Sequence, residues 1–274
     1  MTLKNLVSHA ALILPAVALF ATSADAHRRW LLPSATILSG DRETVSVDAA
    51  VANGLFYFEH HALGLDDLTV TGPDGKAVKP DIMGSGAYRS VFDVPLDKQG
   101  TYRIALASDG MFGSYMLNGE RHRWHGSAAE AKTAIPDGAS EVHLVPVTNR
   151  VETFATLGAP SDTALQPTGR GIEMVPVTHP NDLIAGEPAK LRFLEDGKPA
   201  SGLEVQFIKG GTRYRDEAGV KRLTADADGV VTLSADDPGM YFLEAEDRPE
   251  RGAGDTGADA RRLYYSVVLE FMPA

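Results

Sequence analysis

Histidines are the residues of this chain whose type and spacing could do chemistry, because a neutral imidazole nitrogen binds divalent transition metals. Five of them are candidate metal ligands: His27, His60, His61, His122 and His125. His60 and His61 are adjacent, so in a strand only one of them could point into a given site, whereas at a strand end or in a loop both could. His122 and His125 have the i, i+3 spacing that brings two imidazoles together in a helix, although flanking glycines favour a loop there. The alternative is that both pairs are ordinary surface and packing residues.

His27 is the leading candidate because of what precedes it. Lys4, the apolar run 6–21 and the small residues that end at Ala26 are typical of a cleaved secretory signal. Cleavage after Ala26 predicts a periplasmic protein with His27 at its amino terminus. The free α-amine and the imidazole of one residue can chelate one metal, and a second histidine would complete a set of three nitrogens that favours copper.

Composition excludes several functions. The chain of 274 residues has no cysteine, which removes disulfides, thiolate metal sites and cysteine nucleophiles. Its net charge of −11, from 26 basic and 37 acidic residues, argues against binding to nucleic acid. Beyond the signal, no apolar stretch is long enough to span a membrane. Common motifs of hydrolases, zinc peptidases and nucleotide-binding enzymes are missing, so we predict a protein that is not an enzyme.

Short runs of alternating polar and apolar residues, separated by turn residues, predict an all-β fold. We predict two tandem immunoglobulin- or transthyretin-like antiparallel β-sandwich domains, at 27–160 and 171–274, after the signal peptide 1–26. The segment 161–170 is the predicted linker, and 127–133 is the best candidate for a short helix. One larger sandwich with a long excursion is the alternative.

Several motifs resemble one family along nearly the whole mature chain. They are the opening His27–Pro33, the block Gly171–Pro180, and the short motifs at 182–183, 186–188, 196–199 and 226–229. This ordered combination resembles periplasmic proteins of the DUF4198 family. The resemblance implies a transthyretin-like β-sandwich. It also implies an association with outer-membrane metal or siderophore import, and members have formerly been labelled nickel or cobalt uptake components.

These observations lead to a functional hypothesis with two rivals. The first reading is a non-enzymatic periplasmic binding or accessory protein for acquisition of nickel, cobalt, copper or a metal chelate, working with an envelope transporter or outer-membrane receptor. The second is a structural or protein-interaction module that binds no metal. A copper enzyme with a histidine brace is a third reading, which depends on His27 alone. Basic residues between 209 and 222, with Arg261 and Arg262 after the stretch 251–260, could hold a carboxylate or an anionic siderophore, or could keep the sheet edges soluble. His143 and His179 are predicted to be structural.

Overall fold

The computed structural model describes residues 27–247 and 261–274, and the predicted signal 1–26 lies outside these ranges. The described residues are mostly β-strand, which confirms the all-β prediction. The strands are β1 Arg28–Pro33, β2 Ile37–Leu38, β3 Glu43–Ala52, β4 His61–Ala62, β5 Leu68–Thr71, β6 Asp81–Ser85, β7 Ser90–Leu96, β8 Gly100–Leu117, β9 Glu120–Gly126, β10 Ser140–Leu157, β11 Ile172–Pro176, β12 Ala189–Glu195, β13 Lys198–Pro199, β14 Glu204–Lys209, β15 Lys221–Thr224, β16 Val230–Leu233, β17 Gly239–Asp247 and β18 Arg262–Phe271. Helix α1 spans Ala128–Ala134, and short 3-10 turns lie at Thr163–Leu165 and Thr212–Tyr214.

Three sheets form among the described residues. The largest has the order β15-β14-β17-β18-β10-β8-β5, with β9 on β8 and β2 on β10. A second sheet has the order β1-β3-β7-β6, with β4 on β3, and a third has β11-β12-β13, with β16 on β12. Strands from both halves of the chain therefore share one large sheet.

The two smaller sheets cover opposite faces of the large sheet. Phe154 of β10 belongs to the core beneath the β11-β12 sheet, whereas its neighbour Ala155 belongs to the core beneath the β1-β3-β7 sheet. Successive residues of a strand face opposite sides, so these cores lie on either side of the large sheet. The β-sandwich architecture follows. The immunoglobulin- or transthyretin-like type and the division into two domains remain predictions.

Two details of the large sheet differ from the predicted short, antiparallel strands. β10 and β18 run parallel, with Val147 opposite Arg262 and Thr153 opposite Val268. β8 and β10 each have 18 residues, and their far ends form with β9 a three-stranded extension that we call the arm. The arm exists because Asn118 and Gly119, with φ of 52° and 83°, form the two-residue turn that joins β8 to β9.

The helix prediction is confirmed. Helix α1 is close to the predicted segment 127–133, and Ser127 caps it by accepting a hydrogen bond from the backbone of Glu130 while the Glu130 carboxylate accepts one from the Ser127 backbone.

The predicted linker is part of the packed structure. Leu165, within segment 161–170, is buried, and Arg103 of β8 donates a hydrogen bond to the carbonyl of Gln166. Thr168 and Gly169 donate backbone hydrogen bonds to Glu173 of β11. Its composition suggested a free connection, but these contacts hold the segment against both halves of the chain.

Candidate functional site

Three of the five candidate histidines lie together where β1 and β4 begin. Ala50 of β3 pairs with Trp30 of β1 on one edge and with Ala62 of β4 on the other. His27 precedes β1, His60 precedes β4, and His61 is the first residue of β4. Strand β3 thus brings two chain segments, more than thirty residues apart in sequence, to the same end of one sheet. We call His27, His60 and His61 the histidine cluster.

The rings of the cluster are in direct contact. The ring centroids of His27 and His60 are 3.8 Å apart with the planes 4° from parallel, and those of His60 and His61 are 4.7 Å apart. The Nδ1 atom of His61 lies 2.8 Å from the carbonyl oxygen of Ala62, so it acts as a donor and leaves Nε2 as the free acceptor. All three side chains are exposed and can rotate.

The pKa of His60 is lowered from its ordinary value. Desolvation is the main cause, and positive charge on His27 and His61 adds to it, while Glu59 acts in the opposite direction. A lower pKa favours the neutral form of the imidazole, which is the form that binds a metal.

The loop before His60 is fixed by contacts to the rest of the protein. The backbone of Gly54 donates a hydrogen bond to Glu59, and the backbone of Leu55 donates one to Thr212. The guanidinium of Arg213 lies 3.8 Å from the ring centre of Tyr57. These contacts position His60 although it lies outside a strand.

Beside the histidine cluster, one face of the large sheet forms a cleft of about 1050 Å³. Its floor consists of side chains that share this face on the arm and on β17 and β18, because alternate residues of paired strands point to the same side. Residues from β1, with His27 and His61, line its other side. Its lining includes His125, Phe112, Arg29, Arg123, Arg262 and Tyr264.

His122 and His125 do not form a metal-binding pair. The prediction of a helix or loop at this position was wrong, since both residues lie in strand β9, where residues three apart face opposite sides. His125 is opposite Phe112 and lines the cleft. His122 lies on the other face, with its ring stacked on Tyr115 at 5.3 Å.

The cleft carries more positive than negative groups. Four arginines line it with their side chains (Arg28, Arg29, Arg123 and Arg262), together with three carboxylates (Asp109, Glu244 and Glu246), whereas the side chain of Arg150 pairs with Glu152 and Glu173 on the other face of the sheet. Arg28 pairs with Glu244 at 3.1 Å, and Arg170 from outside the cleft pairs with Asp109. Arg29 donates a hydrogen bond of 2.6 Å to the side chain of Asn149. Desolvation by the cleft walls lowers the pKa of Arg29, and Tyr264 opposes this effect.

The basic segment 209–222 does not present free cations as a group. Lys209 pairs with Asp237 at 2.8 Å, and Lys221 pairs with Asp236 at 2.7 Å. Arg215 donates hydrogen bonds to backbone carbonyls of its own loop. The charged side chains therefore hold this loop in place through ion pairs and hydrogen bonds. The stretch 251–260, which we considered with this segment, lies outside the described residues.

Of the two histidines predicted to be structural, His179 makes such contacts, and His143 is an exposed residue of a strand. His143 lies in β10 opposite Ser114. The backbone of Asn181 donates a hydrogen bond to Nδ1 of His179, and Nε2 lies 3.0 Å from the hydroxyl of Thr101. Burial lowers the pKa of His179. His179 therefore fixes a turn.

The histidine cluster is not arranged to hold a metal as it stands. Among residues 27–247 and 261–274, no group of three or more His, Asp or Glu side chains has an arrangement that would hold an ion. The imidazole lone pair lies in the ring plane, so the parallel rings of His27 and His60 cannot both direct a nitrogen to one ion. Rotation of one exposed ring would remove this conflict. Within the same ranges, no helix has the length and apolar character that crossing a bilayer requires.

Sequence reasoning missed the cleft and most residues of its floor. Arg29, Arg123 and Tyr264 were not predicted to line a site. The signal that could have revealed the arm is the dipeptide Asn118-Gly119, which is typical of a tight hairpin turn and predicts paired strands on both sides.

The fold and the site together define a β-sandwich protein with a charged cleft and a histidine cluster at its edge. The chain belongs to the DUF4198 family, described as a domain of unknown function, whose family model matches residues 24–248. This match confirms the family resemblance of the sequence motifs.

Solved structures of low similarity also match the chain. The D0-D1 domain of intimin is 13% identical, with 88% of this chain and 97% of that chain covered and a TM-score of 0.20. A marsupial T cell receptor is 10% identical, with coverage of 90% and 74% and a TM-score of 0.20. The pilus 2b backbone protein of group B streptococcus is 11% identical, with coverage of 89% and 98% and a TM-score of 0.16. No curated protein matches the chain.

Proposed function

We propose that the exported protein binds a divalent transition metal, as an ion or as a small chelate, through His27, His60 and His61. The observation that carries the proposal is the contact of these three imidazoles at one end of a sheet, with ring centroids 3.8 and 4.7 Å apart. Removal of residues 1–26 would add the α-amine of His27 as a fourth nitrogen. Nickel, cobalt and copper all suit such a donor set.

The role that fits this site is binding rather than catalysis. We propose a non-enzymatic periplasmic accessory protein that passes its cargo to an envelope transporter or outer-membrane receptor. Neutral imidazoles and an amine coordinate a metal reversibly. The exposure of the cluster allows the cargo to enter and leave by rotation of surface side chains.

The proposal is tested by calorimetric titration of protein that begins at His27 with nickel, cobalt, copper and zinc chlorides. We expect His60→Ala to weaken binding at least about tenfold, which corresponds to about 1.4 kcal/mol. His122→Ala is the matched control, because this histidine lies on the opposite face of the arm and should leave binding unchanged. No uptake of any of these ions by the unmodified protein would refute the proposal.

A second candidate function is a protein-interaction module of the cell envelope that binds no metal. Strand β6 favours it, because β6 is at the edge of its sheet and all five of its residues are exposed. Ile82 and Met83 on this strand are 53% and 59% exposed. An exposed edge strand can pair with a strand of another protein. This candidate predicts co-purification with an envelope partner that persists after alanine replaces the three clustered histidines.

A further inference from the structure

The cleft is larger and more positive than a site for a bare metal ion needs to be. An ion held by a few nitrogens needs almost no cavity, whereas about 1050 Å³ matches the upper end of small-molecule sites. The chain as a whole has a net charge of −11, yet four arginine side chains and only three carboxylates line this cleft. The local charge is therefore opposite to that of the protein.

Two of these arginines are available to a ligand. Among the described residues, neither Arg123 nor Arg262 has a carboxylate within salt-bridge distance, unlike Arg28 with its partner Glu244. Arg123 is exposed on the arm, two residues before His125 on the same face of β9. A guanidinium presents a planar fork of donors that matches the two oxygens of a carboxylate.

Arg262 is also held in place. Its guanidinium lies 4.6 Å from the ring centre of Phe112, and Arg262 is opposite Val147 in the register of β18 with β10. Stacking on an aromatic ring fixes the plane of the guanidinium and leaves its edge free to donate hydrogen bonds. The cleft thus offers oriented donors for carboxylates, with His27, His61 and His125 lining the same space.

We infer that the cargo of this site is a metal chelated by a small polycarboxylate, with Arg123 and Arg262 binding the carboxylates. The inference rests on the proposed function, because the histidine cluster supplies the nitrogens that complete the coordination of the metal. The arginines alone give affinity for the organic anion, and the histidines alone give affinity for the ion. Only the chelate engages both.

Calorimetry with three probes tests the inference: nickel chloride, citrate, and a one-to-one nickel–citrate mixture. The protein begins at His27. We expect nickel–citrate to bind at least about tenfold more tightly than citrate alone. We expect Arg123→Gln and Arg262→Gln each to weaken nickel–citrate binding about tenfold and to leave binding of nickel chloride unchanged. Circular dichroism verifies that both variants are folded.

Arg42→Gln is the control, because Arg42 is an exposed arginine paired with Asp97 and does not line the cleft. If nickel chloride binds but the cleft variants bind nickel–citrate like the unmodified protein, the inference is overturned and the proposed function stands. Removal of nickel from citrate with release of the citrate also overturns it. If citrate binds through the arginines and nickel never binds, both the inference and the proposed function fail.

Discussion

The imidazole of His60 is in contact with the imidazoles of His27 and His61. Positive charge on one ring disfavours protonation of the next, and desolvation adds to this effect at His60, whose pKa is lowered. A metal and a proton bind the same lone pair, so a lower pKa means that acid competes less well. We therefore expect His60 to remain available to a metal at a more acidic pH than an isolated surface histidine would.

Replacement of His27 by Gln tests this coupling. His27→Gln removes one positive charge beside His60, so the pKa of His60 should rise towards its ordinary value. The measurement is an NMR titration of the His60 ring in both proteins without metal. His122→Gln, on the far face of the arm, should leave the titration unchanged. An unchanged or lower pKa of His60 in His27→Gln would show that the charges are not coupled.

At the residue scale, the sequence identified the candidate histidines but did not predict which of them would be in contact. His27, His60 and His61 were identified from type and position, but the pairing of β1 and β4 with β3 is a long-range contact that spacing does not encode. The i, i+3 argument for His122 and His125 failed because it holds only for a helix. In strand β9 the same spacing separates the two rings.

The elements of the large sheet are joined by a buried network of charges. Arg150 donates a hydrogen bond of 3.0 Å to Glu152 within β10, and its guanidinium lies 3.4 Å from Glu173 of β11. The hydroxyl of Tyr265 on β18 donates a hydrogen bond of 3.0 Å to Glu152. Burial and the nearby carboxylate of Glu152 strongly raise the pKa of Tyr265, so it remains a neutral donor. Glu152 therefore connects two strands of the sheet.

Glu152→Ala should destabilise the protein by about 3–5 kcal/mol, because it removes the carboxylate that the buried Arg103 and Arg150 share. The measurement is urea-induced unfolding, with the free energy of unfolding taken from the midpoint concentration multiplied by the slope m. The control is Asp97→Ala, which breaks the exposed pair with Arg42 and should cost about 1 kcal/mol or less. An equal loss of unfolding free energy in the two variants would show that the buried network contributes no more to stability than the exposed pair.

At the element scale, turns and the capped helix were predictable because their signals are local. The lengths of β8 and β10 were not, because their far ends alternate weakly and are only partly buried or exposed. Packing against neighbouring strands extends them, and this tertiary effect is absent from local propensity. The packing of the predicted linker 161–170 was not predictable for the same reason, since Leu165 fills a core that the local sequence does not reveal.

The whole molecule is organised around the sheet that both halves of the chain share. Parallel pairing of β10 with β18 places a strand of the second half against the first half. Phe154 of β10 in turn packs in the core of the second half. Separation of the halves would expose both a sheet edge and apolar side chains.

We therefore expect residues 27–274 to unfold thermally in one cooperative transition. A fragment with residues 27–170 should show no cooperative transition, because it lacks β18 and the core around Phe154. Differential scanning calorimetry of both proteins checks this expectation. Two well-separated transitions in the full chain, or a fragment that unfolds cooperatively by itself, would instead indicate two independent domains.

X-ray absorption spectroscopy of nickel-loaded protein that begins at His27 tests the metal-binding account most directly, because it reports the atoms bound to the ion. The account predicts imidazole scattering from at least two histidines, with nickel–nitrogen distances of about 2.0–2.1 Å, taking the zinc–histidine bond as a guide. That scattering should diminish in His60→Ala and persist in His122→Ala. A spectrum of hydrated nickel without imidazole ligands would contradict the account.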